Sequence, residues 1–537
     1  MKETIITGRE FNRRSFLKGS LIATAGIAAA GLAGCAPQTP ANTLAETGND
    51  EKGSTMPAAP ENIAETVDTE ILVIGAGCGG LACAVQGALN GSKVLLLEKG
   101  SNTGGNANVS EGMFALGTDR QKELGIELSM PEIINHEMEF AQFRVDGQLW
   151  RDFVENSVEN YEWCKEQGVE FSGVVNDYGG LYETMHWFKG DNGAGGYVPQ
   201  MTARAEELGV EIRCSTPAYR LIQDESGTVV GAYAKNSDGD DIQINAKATV
   251  IATGGWGCNE ELIKRMGFDT TDWMQCGLDN HDGDGYNMAM EVGAKDMAPF
   301  ASQLALNYIP ALPRQSFMHP YNGIAGIASG LNPVVWVNEE AQRFSNECLW
   351  KKCIMYQALP AREQKEHYTI FDSAIWHAVT AEVENADQEL EEALEKNMPE
   401  SIWTADTIEG LAEATGLDPQ ALKKTIDEYN GWCEAGIGDQ VFGKAAEDMA
   451  PISTPPFYIA RTRLNFVTNF GGIGTNRKRE VITEEGETIP GLYAAGLDGD
   501  MRYRNAYPIN CGGTTFAGFL YNGRIAANNA KKYIEEN

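Results

Sequence analysis

The chain has 537 residues and a formal net charge of −34, from 76 acidic against 42 basic side chains. A surface this acidic repels nucleic-acid phosphates and an anionic bilayer, so no nucleic-acid partner is expected, whereas a basic protein could dock on it. The length suffices for two domains, or for one cofactor domain with a large insertion. The eleven cysteines form no C-x-x-C pair, which argues against an iron–sulfur cluster, a structural zinc site or covalent haem.

Residues 1–35 read as a targeting segment. Asn12-Arg13-Arg14-Ser15-Phe16-Leu17-Lys18 resembles a twin-arginine export motif, with Asn12 where Ser or Thr is usual, and an Ala/Gly-rich stretch follows. That stretch is too short and too small-residued to span a bilayer. It ends in Leu32-Ala33-Gly34-Cys35, which looks like a lipobox. Cys35 would then be lipidated and begin the mature chain, anchored to the outer face of the cytoplasmic membrane; a plain cleaved signal is the alternative. Residues 36–67, rich in Pro, Thr, Asn, Glu and Gly, are expected to be a disordered linker.

The stretch from Thr69 to Lys99 organises the rest. Ile71 to Ile74 is a short apolar run suited to a buried strand, and it runs into Gly75, Gly77 and Gly80 in G-x-G-x-x-G spacing. A helix is expected over Leu81–Leu89, then a second strand over Val94–Leu97 that delivers Glu98 at its end. The first glycine permits the tight turn, the second lets a pyrophosphate approach the backbone, and the third lets helix pack on strand. Glu98 would accept ribose hydroxyls. Gly104-Gly105-Asn106 forms a second glycine-rich loop, followed by amphipathic helices to about Gly168 and a hairpin around IQDESGTVVGAYAKN. A strand over Ala248–Ile251 leads to Ala252-Thr253-Gly254-Gly255, and His281-Asp282-Gly283-Asp284-Gly285 precedes a further helix. Beyond Met297 the pattern is irregular and then helical to about Pro455. Gly491 to Gly496 is again a buried strand meeting glycine, and Gly512-Gly513 opens a last helix.

These five ordered motifs, spread over about residues 68–537, resemble the FAD-binding family of soluble fumarate reductases, urocanate reductases and 3-ketosteroid dehydrogenases. The resemblance implies an α/β fold: a Rossmann-like FAD-binding domain with two- and three-layer sheet/helix packing, and an inserted α+β capping domain. The expected boundaries are 68–297 and 464–537 for the FAD domain and 298–463 for the cap. It implies FAD held non-covalently, because no histidine stands in the second loop, where covalent members attach it. Carried across, FAD contacts fall on Gly75, Gly77, Gly79, Gly80, Glu98, Gly105, Asn106, Ala107, Gly112, Ala218, Thr253, Gly254, Asp284, Gly496, Gly513, Thr515 and Phe516. The acid expected right after A-A-G is displaced to Asp498, which leaves its ribityl contact open.

Fumarate reductases hold a dicarboxylate with a histidine before the second glycine pair, an arginine in the last loop and an arginine proton donor after V-N-x-x-x-x-R-F. Here Thr468, Asn510 and Lys351 stand at those places. Two desolvated carboxylates without those cations would cost several kcal/mol, so fumarate is not the expected substrate. Tyr507-Pro508 instead looks like the Y-P of ketosteroid dehydrogenases and related exported enone reductases. A hydride added to an activated alkene needs an oxygen to take up the charge. Tyr507 with the backbone N–H of Cys511 or Gly512 would be the donors to that oxygen, a core tyrosine being the plain alternative. Lys351, partly buried with a lowered pKa, would be the acid; Tyr308 and His319 are further substrate candidates. An exported protein meets no NAD(P)H, so electrons are expected from a separate cytochrome c or quinol-linked donor in anaerobic respiration. Two alternatives stay open: the same site run oxidatively as a ketosteroid-type dehydrogenase, and a lipid-anchored flavoprotein that only relays electrons.

Overall fold

The computed structural model describes residues 57–190, 192–275, 280–312, 327, 333–397, 399–504 and 507–537, all within one compact unit, Ser54–Asn537. The export motif, Cys35 and His319 lie outside the described residues. Strand β1 (Glu65–Ile74) ends in the apolar run Ile71 to Ile74, which is buried throughout because both faces of the sheet are covered. Helix α1 (Cys78–Leu89) starts three residues earlier than the apolar pattern alone indicates, because Gly77 itself caps it and its carbonyl accepts from Leu81 N at 2.9 Å. Strand β2 (Val94–Leu97) lies parallel to β1 from Ile71 opposite Val94 to Ile74 opposite Leu97. On the other side of β1, strand β3 (Asp241–Ile251) is also parallel, with Ile74 opposite Ile251.

Among the amphipathic helices that follow β2, α2 (Met130–Phe140) is capped by Ser129, whose side chain accepts from Glu132 N, and turns Ile133 and Glu137 inward. The expected hairpin is present: Ala218–Gln223 pairs antiparallel with Val229–Lys235, which joins β3. Strand β4 (Arg463–Phe470) pairs antiparallel with Ser302–Tyr308. The chain then returns to the main sheet as strand β5 (Thr488–Ala494), parallel to β3, giving the order Glu480–Ile482, β5, β3, β1, β2, Glu211–Arg213. The final helix α3 (Thr514–Glu536) lies on α1 so closely that a Cβ at Gly523 would stand 2.1 Å from the Gly79 carbonyl oxygen.

Residues between Ile309 and Ala460 share a separate hydrophobic core. It is built on an antiparallel sheet of Val335–Asn338, His367–Asp372, Phe457–Arg461 and Ile402–Ala405, covered by helices such as Pro419–Ala435. These strands escape a reading of the sequence that finds mostly helix there, because each is only four to six residues long beside helices with a stronger period. Buried charges are matched here. The Glu347 carboxylate takes two hydrogen bonds from Arg343, at 2.9 and 2.8 Å, and one from Trp336 N at 3.1 Å; Lys444 Nζ lies 3.4 Å away.

Candidate active site

The glycine motifs converge on one cleft of about 430 Å³ at the C-terminal ends of β1, β2 and β3. Gly75, Gly77, Gly79, Glu98, Gly105, Asn106, Ala107, Ala218, Thr253, Gly254, Asp284, Gly496 and Phe516 line it. Gly75 has φ +103°, and a Cβ there would stand 2.2 Å from the Ala252 carbonyl oxygen; one at Gly79 would stand 2.7 Å from the Gly496 backbone. Only glycine lets β1, α1 and β5 meet this closely. The Glu98 carboxylate accepts from Ala76 N at 2.8 Å and Gly100 N at 2.7 Å, fixing the acid at the cleft wall. Asp284 is tied to Lys99 at 2.8 Å. His281, noted in the sequence only as part of a glycine motif, also lines the cleft, with Nδ1 at 3.1 Å from Asn106 Nδ2. Burial pushes it down to about 4, so it is neutral near pH 7.

These residues fit FAD. The N-terminus of α1, crowded against backbone that no side chain could share, is a bed for pyrophosphate, and the fixed Glu98 suits a ribose. Gly80, Gly112, Asp498, Gly513 and Thr515 do not line the cleft, and each has another task. Gly80 lets α1 pack on the turn, a Cβ there falling 1.8 Å from the Gly75 carbonyl oxygen. Gly112 sits in strand Gly112–Phe114, where a Cβ would meet the His186 carbonyl oxygen at 2.3 Å. Gly513 adopts φ +79° to start α3 against Met113. Asp498 is wholly buried and accepts from Thr253 Oγ1 (3.1 Å), Gly254 N (3.0 Å) and Gly255 N (3.1 Å), so it braces the Thr253-Gly254-Gly255 turn. Burial pushes its carboxyl up to about 6 against those donors. Thr515 turns its hydroxyl to Tyr507 instead.

Next to the first turn of α3 lies a buried aromatic wall. Tyr507 packs at 4.5 Å against Phe470, the rings tilted by 41°, and meets Tyr503 edge-on at 5.0 Å, its hydroxyl 3.4 Å from Thr515 Oγ1. Burial pushes its phenol up to about 12. Cys511 and Asn510 are buried in the same turn, and the Asn510 carbonyl accepts from Leu181 N and Tyr182 N at 2.8 and 3.2 Å. The Gly512 carbonyl accepts from Thr184 Oγ1 at 3.2 Å. The other expected substrate groups are elsewhere engaged. Lys351 does not sit partly buried: its side chain is 45% exposed and ion-paired with Asp448, which raises its proton affinity instead of lowering it. The motif from which it is counted is structural, since Arg343 spans Glu347 and Asp439 inside the separate core. The Tyr308 hydroxyl donates to the Asp272 carbonyl, and the Thr468 hydroxyl donates to the Asn469 carbonyl at 3.3 Å.

The structure adds groups that the sequence reading passes over. Glu137 on α2 is 3% exposed, reaches the Asn510 amide, and is close enough for its charge to act on the Tyr503 and Tyr507 phenols. Arg502 is fully buried, bound to Asp500 at 2.8 Å, with its guanidinium 5.2 Å from the Tyr503 ring. The signal for Glu137 is its place four residues after Ile133 on the inward stripe of an amphipathic helix.

A mostly parallel sheet with a glycine-bedded cleft at its strand ends defines a dinucleotide-binding oxidoreductase of the Rossmann class. The chain belongs to the FAD binding domain family, which residues 70–513 match. It is 29% identical over 484 residues to vinyl phenol reductase of Lactiplantibacillus plantarum, covering 87% of this chain and 97% of that one. It is 27% identical over 503 residues to a fumarate reductase (cytochrome) of Shewanella frigidimarina, covering 92% and 82%. Among solved structures, the open form of a flavocytochrome c3 fumarate reductase superposes with TM-score 0.62 at 25% identity, covering 88% of this chain and 79% of that one. The 3-ketosteroid-delta4-(5alpha)-dehydrogenase of Rhodococcus jostii superposes with TM-score 0.63 at 22% identity, covering 89% and 99%. The protein is an FAD-dependent oxidoreductase.

Proposed function

We infer that the protein reduces the double bond of an alkene conjugated to a carbonyl or comparable oxygen, and that Tyr507 holds that oxygen. The observation that carries this reading is the buried Tyr507 hydroxyl, fixed by Phe470 and Tyr503 beside the turn at Cys511 and the first turn of α3. Bound FAD, once reduced, supplies a hydride to carbon. The chain's own part is to orient the alkene, exclude water and stabilise charge. Tyr507, already ringed by apolar side chains, donates to the oxygen more strongly as negative charge grows there. A dicarboxylate suits the site poorly: Thr468 and Asn510 are uncharged, Lys351 is at the surface, and Arg502 is neutralised by Asp500. Relatives named for vinyl phenol and urocanate, both conjugated alkenes, support the reading.

FAD is held non-covalently in this reading. The protein leaves the cytoplasm by the twin-arginine route, is anchored through Cys35, and is charged by a separate cytochrome c or quinol-linked donor as a terminal reductase. Twin-arginine export suits it because that route carries folded, cofactor-loaded proteins. The test is a screen with reduced viologen as donor against enones, cinnamate-like acids, urocanate, vinyl phenols and fumarate. Turnover of a conjugated alkene with poor use of fumarate is expected. Fast fumarate turnover at low concentration would overturn the substrate reading, and no turnover with any acceptor would leave an electron carrier.

A further inference from the structure

With Lys351 at the surface, the reduction lacks an identified acid, and the buried polar groups behind Tyr507 contain one. Glu137 is buried, and the Asn510 amide beside it pulls its carboxyl down by a contact too loose to satisfy Oε2; the Tyr503 hydroxyl and Arg502 Nη1 nearby likewise meet no hydrogen-bond partner among the described residues. Polar atoms left unpaired in the interior are costly, so a group of them beside a candidate substrate residue calls for a reason beyond packing. The next groups along α2 lead outwards. Tyr182, 7% exposed, bonds its hydroxyl to His136 Nδ1 and donates to the exposed Glu132 at 3.3 Å, and it senses the charge of Glu137 on its inner side.

We propose that Glu137 is the acid that protonates the substrate carbon, and that it is recharged from solvent along Glu132, His136 and Tyr182. The proposal rests on the reductase reading above. Hydride adds to one alkene carbon, and the π pair moves through the conjugated system onto the oxygen held by Tyr507. The Glu137 O–H bond then breaks, the returning pair and that proton form the second C–H bond, and the carbonyl is restored. Glu137 is left as a carboxylate until a proton arrives through Tyr182.

An acid for this task must be protonated near neutral pH. Burial pushes the Glu137 carboxyl up to about 8, while the Asn510 amide and the Arg502 charge pull it partly back. The other titratable groups facing it are Tyr503, Tyr507, Tyr182, Cys353 and Cys511, all pushed up by burial and therefore neutral in that range. Among the described residues, Arg502 is the cation that acts on it, and it is balanced by Asp500.

The test uses the flavin-loaded enzyme, with reduced viologen and whichever conjugated alkene the wild type reduces. Wild-type kcat should fall above about pH 8. Glu137→Gln keeps the volume and should lower kcat roughly 100-fold, remove that alkaline limb and leave flavin content unchanged. Tyr182→Phe should slow kcat with KM held and raise the solvent deuterium isotope effect. Independently of turnover, the infrared band of a protonated carboxyl should be present at pH 7 and absent in Glu137→Gln. Wild-type turnover and pH profile in Glu137→Gln, or no such band at pH 7, would overturn the proposal alone. A wild type that reduces no conjugated alkene would overturn the functional reading and this proposal together.

Discussion

Replacing Tyr507 by Phe separates a structural tyrosine from one that works on substrate. The ring is held by Phe470 at 4.5 Å and Tyr503 at 5.0 Å, so Phe should take the same place. Among the described residues the hydroxyl has the Thr514 and Thr515 hydroxyls as partners, Thr515 Oγ1 at 3.4 Å, a long contact. Removing it should therefore cost about 0.5–1 kcal/mol of stability, a fall of about 1 °C or less in Tm for a chain of this size. If the same hydroxyl donates to an oxygen that gains charge, losing it costs on the order of 3 kcal/mol in the transition state, or ~100-fold in kcat/KM. Steady-state turnover with reduced viologen, flavin content by absorbance and thermal melting by circular dichroism measure the three quantities side by side. A kcat/KM within about 5-fold of wild type, with Tm unchanged, would refute the reasoning. So would a loss of activity that tracks loss of flavin.

Lys351→Met should leave kcat within about 2-fold, because an exposed ion pair is worth at most about 1 kcal/mol; a large loss in the same turnover assay would return Lys351 to the site. Glu98→Ala should weaken FAD binding at least 10-fold by equilibrium dialysis, since it removes a ribose acceptor and frees Ala76 N and Gly100 N together; unchanged affinity would disprove its role. Gly75→Ala should yield protein without flavin, because its φ of +103° and the Ala252 carbonyl 2.2 Å away leave no room; a flavin-replete variant would contradict the geometry. Below neutral pH the buried histidines should destabilise the fold, an effect partly offset by the buried Glu137 and Asp498 carboxyls, which take up protons more readily folded than unfolded. His186 and His281 are held down at about 4 and His367 at about 3, whereas unfolded histidine titrates near 6.5. Their contribution is complete above about pH 6.5 and is lost as pH falls towards 4. Denaturant midpoints at pH 7.5 and 5 should show that drop, and equal midpoints would exclude it.

The cofactor half is legible in the sequence because its constraints are local. Gly75 and Gly80 are fixed by backbone crowding, and Gly77 and Glu98 by their places in one strand–turn–helix unit, so spacing alone carries them. Asp498 misleads because an acid near a cofactor motif can serve the turn beneath it as well as the ligand. Lys351 misleads for a related reason: counting from Arg343 assumes that the motif faces substrate, whereas Arg343 faces Glu347 and Asp439. Glu137 stays hidden among the acids of a helix that reads Glu132, Glu137 and Glu139 alike. Its spacing from Ile133 on the inward stripe is the one hint in the sequence, and the burial of α2 beside the Asn510 turn makes the distinction plain. The short strands of the separate core are invisible because pairing over four to six residues is decided by partners far along the chain.

The position of β5 and α3 also fixes an order of events. Gly79, on α1, touches Gly496 and Gly523, and Cys78 bonds the Phe516 carbonyl at 3.4 Å. A ribosome that has released everything up to β4 has therefore made the glycine turn and Glu98, yet one wall of the cleft is still inside it or unmade. Closing contacts this distant in sequence is slow and leaves sheet edges exposed meanwhile. Flavin capture consequently follows translation of the last helix, and a nascent chain stalled before Gly491 should carry no flavin however long it waits.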